Sequence, residues 1–103
     1  MKTVVIIIDQ AVEQQVKDHV HSTRPNTLGT GVELTQDKVA FDLPWADEYF
    51  DRLINEFADF GAVVYVRYGN SPVDENGDPL LPSCTSIRDA ASQEGLEVVV
   101  QDV

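Results

Sequence analysis

Residues 3–8 read TVVIII, six β-branched side chains in succession. A helix built from them would lose side-chain rotamer freedom at every position. A half-buried strand would show a polar residue at alternate positions, and here there is none. The run therefore predicts a central strand buried on both faces. Everything else in the chain has to be arranged around that strand.

Asp9 follows the run where a helix N-cap would stand. Ala11, Val12, Val16 and Val20 recur at helical spacing through 10–21, and Arg24-Pro25-Asn26 ends that helix. Residues 31–42, GVELTQDKVAFD, alternate at Val32/Leu34 and again at Val39/Phe41 around polar Gln36-Asp37, which predicts a hairpin with one buried face. Leu43-Pro44 closes the hairpin, a helix is expected over 46–60, and Gly61 stands at its C′ position. AVVYVRY at 62–68 predicts a further strand. Residues 69–83 form a long loop containing Pro72, Pro79, Pro82 and the acidic turn DENGD. Ser86 with Asp89 three residues on resembles a capping box at the start of a short helix, Gly95 stops it near Glu94, and LEVVV at 96–100 predicts a last strand.

The order is β-α-β-β-α-β followed by α-β. It predicts an α+β domain over 1–103, a ferredoxin-like βαββαβ two-layer sandwich with an extra C-terminal helix and strand. Its sheet would be antiparallel or mixed, with helices on one face, and the extra elements would extend the sheet edge. The length of 103 residues suits one domain, and an apolar content of 43% suits a folded core.

Charge narrows the function classes. Eighteen acids against seven bases give a net charge of −11. Nucleic acids and anionic membranes require clustered Lys and Arg, so neither is expected as a direct partner. Basic partners and electrostatically steered association are favoured. Acidity of this kind also arises as an adaptation to salt, but that predicts acids spread evenly. With Cys84 as the one cysteine, no internal disulfide can form, which suits an intracellular setting. MKTVVIIID is too short for a signal or a membrane span, so a cytoplasmic location is expected.

The acids cluster in 44-PWADEYFDRLINEFADFG-61. As a helix this places Trp45, Tyr49, Phe50, Leu53, Ile54, Phe57 and Phe60 on one stripe. Asp47, Asp51, Asn55 and Asp59 form a row, with Glu48, Arg52 and Glu56 beside it. Steps of four residues advance about 6 Å, comparable to the spacing of phosphates along a nucleic acid strand. Asp47 and Asp51 repel at i, i+4 by a few tenths of a kcal/mol, which Glu48–Arg52 and Arg52–Glu56 partly offset. Asp74, Glu75 and Asp78, with Glu33 and Asp37, would add to this field if they lie nearby. A rigid row of carboxylates presents charge much as a phosphate backbone does. Small acidic inhibitors from phages and mobile elements use that principle against CRISPR complexes, nucleases and topoisomerases. The expectation is a non-enzymatic interaction protein of this kind, located in the host cytoplasm if phage-encoded, with Asp47, Glu48, Asp51, Asn55, Glu56, Asp59, Asp74, Glu75 and Asp78 facing a basic partner. The bland alternative is the ordinary solvated face of an amphipathic helix. Two other classes remain: an assembly subunit dimerising through the 96–100 edge, and a small enzyme using Asp9.

No constellation supports catalysis, a cofactor or a metal. Asp9 lacks a second acid until Glu13. Asp74, Asn76 and Asp78 have the first spacings of a calcium loop, but Pro79 replaces its glycine and Thr85 its terminal Glu. His19 and His21, two apart on a helix, point away from one another. Cys84 and Arg88 are one residue too close for a phosphatase-like loop, and a small, partly buried thiol is the expected state of Cys84. No glycine follows the first strand at 8–14, where a nucleotide-binding loop would need one.

Overall fold

The computed structural model of the protein describes residues 2–23, 31–45, 55–67, 71 and 73–99. The β-branched run lies in β1, Lys2–Asp9. β1 is central, as the run requires: the sheet order is β2-β3-β1-β4, with β2 at Val32–Leu34, β3 at Lys38–Trp45 and β4 at Val63–Val66. The pairings among these four strands are antiparallel, with Ile6 opposite Phe41 on one side and Val64 on the other.

Successive side chains of β1 feed two separate cores, because strand residues alternate between faces. Val4, Ile6 and Ile8 join Val39, Phe41, Leu43, Val64 and Val66 on the first face. Val5 and Ile7 join Ala40 and Tyr65 on the second. The first face is covered by α1, Glu13–Thr23, through Val16 and Val20, and by the described part of α2, residues 55–58, through Phe57. A 3-10 turn, Gln10–Val12, joins β1 to α1. The second face is covered by α3, Ile87–Gln93, through Ala90 and Ala91, with Cys84 and Leu96 beside them.

This division departs from the expected placement of all helices on one face. The C-terminal segment does lie along the β2 edge, where Thr35 N–H donates to Glu97 O (2.8 Å), Val99 N–H donates to Glu33 O (3.0 Å) and Val98 bridges Leu34. It makes a single bridge there instead of a full strand among the described residues. α3 goes to the open face instead of the edge. The physical reason is β1 itself: Val5 and Ile7 are buried to 0% and 3% exposure and need apolar cover that α1 and α2, on the other side, cannot give.

Local signals explain where the elements stop. Ser86 Oγ accepts from Asp89 N–H (3.0 Å) and Asp89 Oδ2 accepts from Thr85 N–H (2.9 Å), so the cap is reciprocal, as in a capping box shifted by one residue. At the other end Gly95 has φ +75, with Gly95 N–H donating to Ser92 O and Leu96 N–H to Ala91 O, the Schellman pattern. Gly61, at φ +70, closes α2 in the same way, with Gly61 N–H donating to Ala58 O and Ala62 N–H to Phe57 O.

The β2–β3 hairpin turns at Thr35-Gln36-Asp37, where Gln36 and Asp37 both take left-handed backbone conformations (φ 60 and 59). β3 then continues to Trp45, with Thr3 opposite Pro44. The expected break at Leu43-Pro44 is therefore corrected, and Trp45 belongs to a strand and not to the acidic helix. Pro44 is tolerated because, among the described residues, β2 spans only 38–40 of β3, leaving that stretch an edge on one side. The opposite edge, β4, is met at Val66 by residues 82–84: Val66 N–H donates to Pro82 O and Cys84 N–H to Val66 O, both 2.9 Å.

Candidate functional site

Six of the nine proposed contact residues lie within the described residues; Asp47, Glu48 and Asp51 lie outside them. At the end of α2, Phe57 is fully buried and Phe60 packs beside the same core, so this part of the helix turns its aromatic stripe inward as the sequence spacing requires. Asn55 and Asp59 are exposed on the opposite side.

Glu56 is different. Its side chain is only 13% exposed, and His19 Nε2–H donates to Glu56 Oε1 at 2.7 Å. The His19 ring stands edge-on to Phe57 (5.8 Å between centroids, 90°) and tilted against Phe60 (5.7 Å). Glu56 therefore fixes α2 to α1, with its carboxylate committed inside the protein. His19 is a docking residue; His21 is exposed.

Asp74, Glu75 and Asp78 sit on a small exposed arm in the chain between β4 and α3. A bridge between Val73 and Pro79 closes its base, and Asp74 N–H donates to Asp78 O (2.9 Å). Asp74 Oδ1 accepts from Asn76 N–H and Asp78 N–H, at 2.8 and 3.0 Å, and Gly77 supplies the positive φ of 84 that the tip needs. The calcium-like spacing is thus a self-satisfied Asx turn. Val73 and Leu80 flank the tip at 57% and 44% exposure. Asp59, Asp74, Glu75 and Asp78 make no ion pair with any described residue.

The other acids expected to join this field, Glu33 and Asp37, both lie on the β2–β3 hairpin. Glu33 lies on β2, at the edge of the sheet opposite β4, roughly three strand spacings or 14 Å away. Asp37 is on the turn of the same hairpin, and its carbonyl accepts from Gln10 N–H at 2.7 Å.

Asp9 occupies the N-cap position, but its side chain makes no cap hydrogen bond. It pairs instead with Lys38, directly opposite on β3. The expected capping role is corrected for a reason not visible locally: cross-strand register places a cation nearer than the helix amides. Lys17 pairs with Glu13 at 3.4 Å, and Arg67 with Asp42. Three of the bases are thus neutralised by acids of the fold itself.

Sequence reasoning missed two polar seams on the second face. Arg67 reaches Asp42 across β1, and Tyr65 OH donates to Glu94 of the α3 cap. Burial pushes the Asp42 carboxyl above the usual carboxylate value, against the opposing pull of Arg67. Burial first, and the Glu94 hydrogen bond second, hold the Tyr65 hydroxyl well above its ordinary value. The one available signal was an acid, Asp42, inside an otherwise apolar strand. Cys84 is buried, and burial, then the charge of Asp89, pushes its thiol up to about 11. It is a packing residue, since a protonated buried thiol is a poor nucleophile. Among the described residues no group of three or more His, Cys, Asp or Glu could hold a metal ion, and no helix is long and apolar enough to cross a membrane.

No protein-family model, curated protein or solved structure matches this chain.

Proposed function

We propose that this protein is a non-enzymatic acidic interaction module that occupies a basic site on a nucleic-acid-handling protein, in the manner of a phage or mobile-element inhibitor that mimics nucleic acid. The observation that carries this reading is the distribution of charge. Within a net charge of −11, Lys17, Lys38 and Arg67 are held by Glu13, Asp9 and Asp42, while Asp59, Asp74, Glu75 and Asp78 stand exposed and unpaired among the described residues. Internal pairing of cations leaves a surface whose unbalanced charge is negative. The row from Asp47 to Asp59 is its proposed centre, the arm at 74–78 its second element, and Glu56 the anchor that holds the row in place. CRISPR complexes, nucleases and topoisomerases present suitable basic grooves.

The arrangement is also best read as ferredoxin-like. The strand order β2-β3-β1-β4, its fully antiparallel pairing, and the positions of α1 and α2 on one face support that reading.

The test is capture of a partner by the tagged protein, followed by competition. A partner of the proposed kind binds at 50 mM salt, loses at least about tenfold in affinity by 500 mM as screening shortens, and is displaced by duplex DNA. The variant Asp47→Asn/Asp51→Asn/Asp59→Asn, which spares the Glu56 anchor, should fail to bind it. Binding indifferent to salt, to DNA and to the variant would sink the proposal.

A second reading has one observation in its favour. Residues 97 and 99 direct their backbone bonds at β2, so the N–H and C=O of Val98 face away, beside Val99 at 53% exposure. That outer edge suits pairing with a second copy. A dimer formed this way persists at high salt and dissociates on Val98→Pro.

A further inference from the structure

We propose that residues 85–99 form a strap that opens as one unit while the rest of the protein stays folded, uncovering the second face of the sheet and the β2 edge. The inference does not rest on the acidic-surface reading.

Three observations carry it. First, the core of the first face contains no residue of the strap. α1, α2 and the four strands keep that core intact when the strap leaves. Second, the strap's own contribution to the second core is small: Ala90, Ala91 and Leu96, with Ile87 and Val98 packed at its margin. Opening breaks the second core alone and leaves the first buried, so it exposes less apolar surface than global unfolding, and opening free energy scales with that surface. Third, the strap is internally closed. The Ser86–Asp89–Thr85 cap and the Gly95 stop satisfy both ends of α3 from within it. Its ties outward are few: Thr35 N–H to Glu97 O, Glu97 N–H to Thr35 Oγ1, Val99 N–H to Glu33 O, Gln93 Nε2–H to Ser83 O, and Tyr65 to Glu94. A seven-residue helix does not persist by itself in water, so detachment and melting are one event. The hinge falls at Thr85, because Cys84 is fixed to β4 through Val66.

Cys84 makes the opening measurable. It is 5% exposed beneath the strap, so a thiol reagent reaches it when the strap lifts. On the full chain, thiol labelling of Cys84 and amide exchange at Glu94, Leu96 and Val99 are followed through sub-denaturing urea beside the β1 amides. Strap opening predicts that all four strap reporters share one opening constant. That constant is at least about tenfold larger than the β1 constant and has a shallower urea dependence. The variant Val16→Ala, which weakens only the first core, should speed β1 exchange and leave Cys84 labelling unchanged for as long as the β1 constant stays below the strap constant. The proposal is overturned if the strap reporters match β1 in rate and urea slope, if they scatter among themselves, or if Val16→Ala moves both sets together. Should Val16→Ala fail to fold, the urea slopes of the unmodified protein decide alone.

Discussion

The two faces of one sheet are built on different terms. The first is filled by Val, Ile, Leu and Phe, with Phe41 and Phe57 its largest fully buried side chains. The second mixes Val5, Ile7, Leu34 and Leu96 with the small Ala40, Ala90, Ala91 and Cys84 around Tyr65, and is rimmed by the Arg67–Asp42 and Tyr65–Glu94 pairs. Bulky side chains give the first face most of its burial free energy, at about 1.5–3 kcal/mol for each. Small ones let α3 approach the sheet closely, and polar rims set where it sits. β1 supplies both faces from alternate residues, so a single strand couples a core made for stability to one made for fit.

That contrast can be broken by experiment. The largest effect should come from Phe57→Ala, which removes a fully buried ring and leaves a cavity; urea denaturation should show a loss of about 3–5 kcal/mol, and a loss under about 1 kcal/mol would mean that the first face is not the principal core. Ala90→Leu tests the opposite property. Added volume beneath α3 should cost about 1–3 kcal/mol by overpacking, whereas a neutral result would show room that the small residues do not need.

The third prediction sharpens the comparison through pH. Cys84 and Tyr65 have folded-state values raised above those of the unfolded chain. Each contributes stability that is fully present below its unfolded value and lost as pH rises. Between about pH 8.5 and 11 the protein should lose on the order of 1–2 kcal/mol, and Cys84→Val with Tyr65→Phe should flatten that slope. The first face contains no Cys or Tyr among its described core residues, so Phe57→Ala should leave the slope unchanged. A slope surviving in the double variant would place the alkaline sensitivity elsewhere.

Much of this was legible in the sequence where the cause was local. The β-branched run, the helical spacing of Val16 and Val20, the Ser86 cap and the glycines at 61 and 95 act within a few residues of themselves, and the structure follows them. What was missed depended on partners far along the chain. Asp9 meets Lys38 through register, Glu56 meets His19 through helix docking, and Pro44 is tolerated because β2 is short. The side taken by α3 was implied all the same. A strand apolar at every position needs cover on both faces, and placing all the helices on one face left Val5 and Ile7 bare. For the candidate surface, the inward stripe at Phe57 and Phe60 was legible from spacing. The loss of Glu56 from the outer row was not, because a carboxylate on the boundary of a stripe turns toward whichever neighbour the tertiary packing provides.

The central position of β1 has a consequence during synthesis. Its residues leave the ribosome before either neighbour, β3 at 38–45 or β4 at 63–66, exists to pair with it. At ordinary elongation rates the interval from β1 to β4 is roughly 3–12 s. Through that time the most apolar stretch of the nascent chain has no permanent strand partner, which makes it a target for chaperone capture and for association with neighbouring nascent chains.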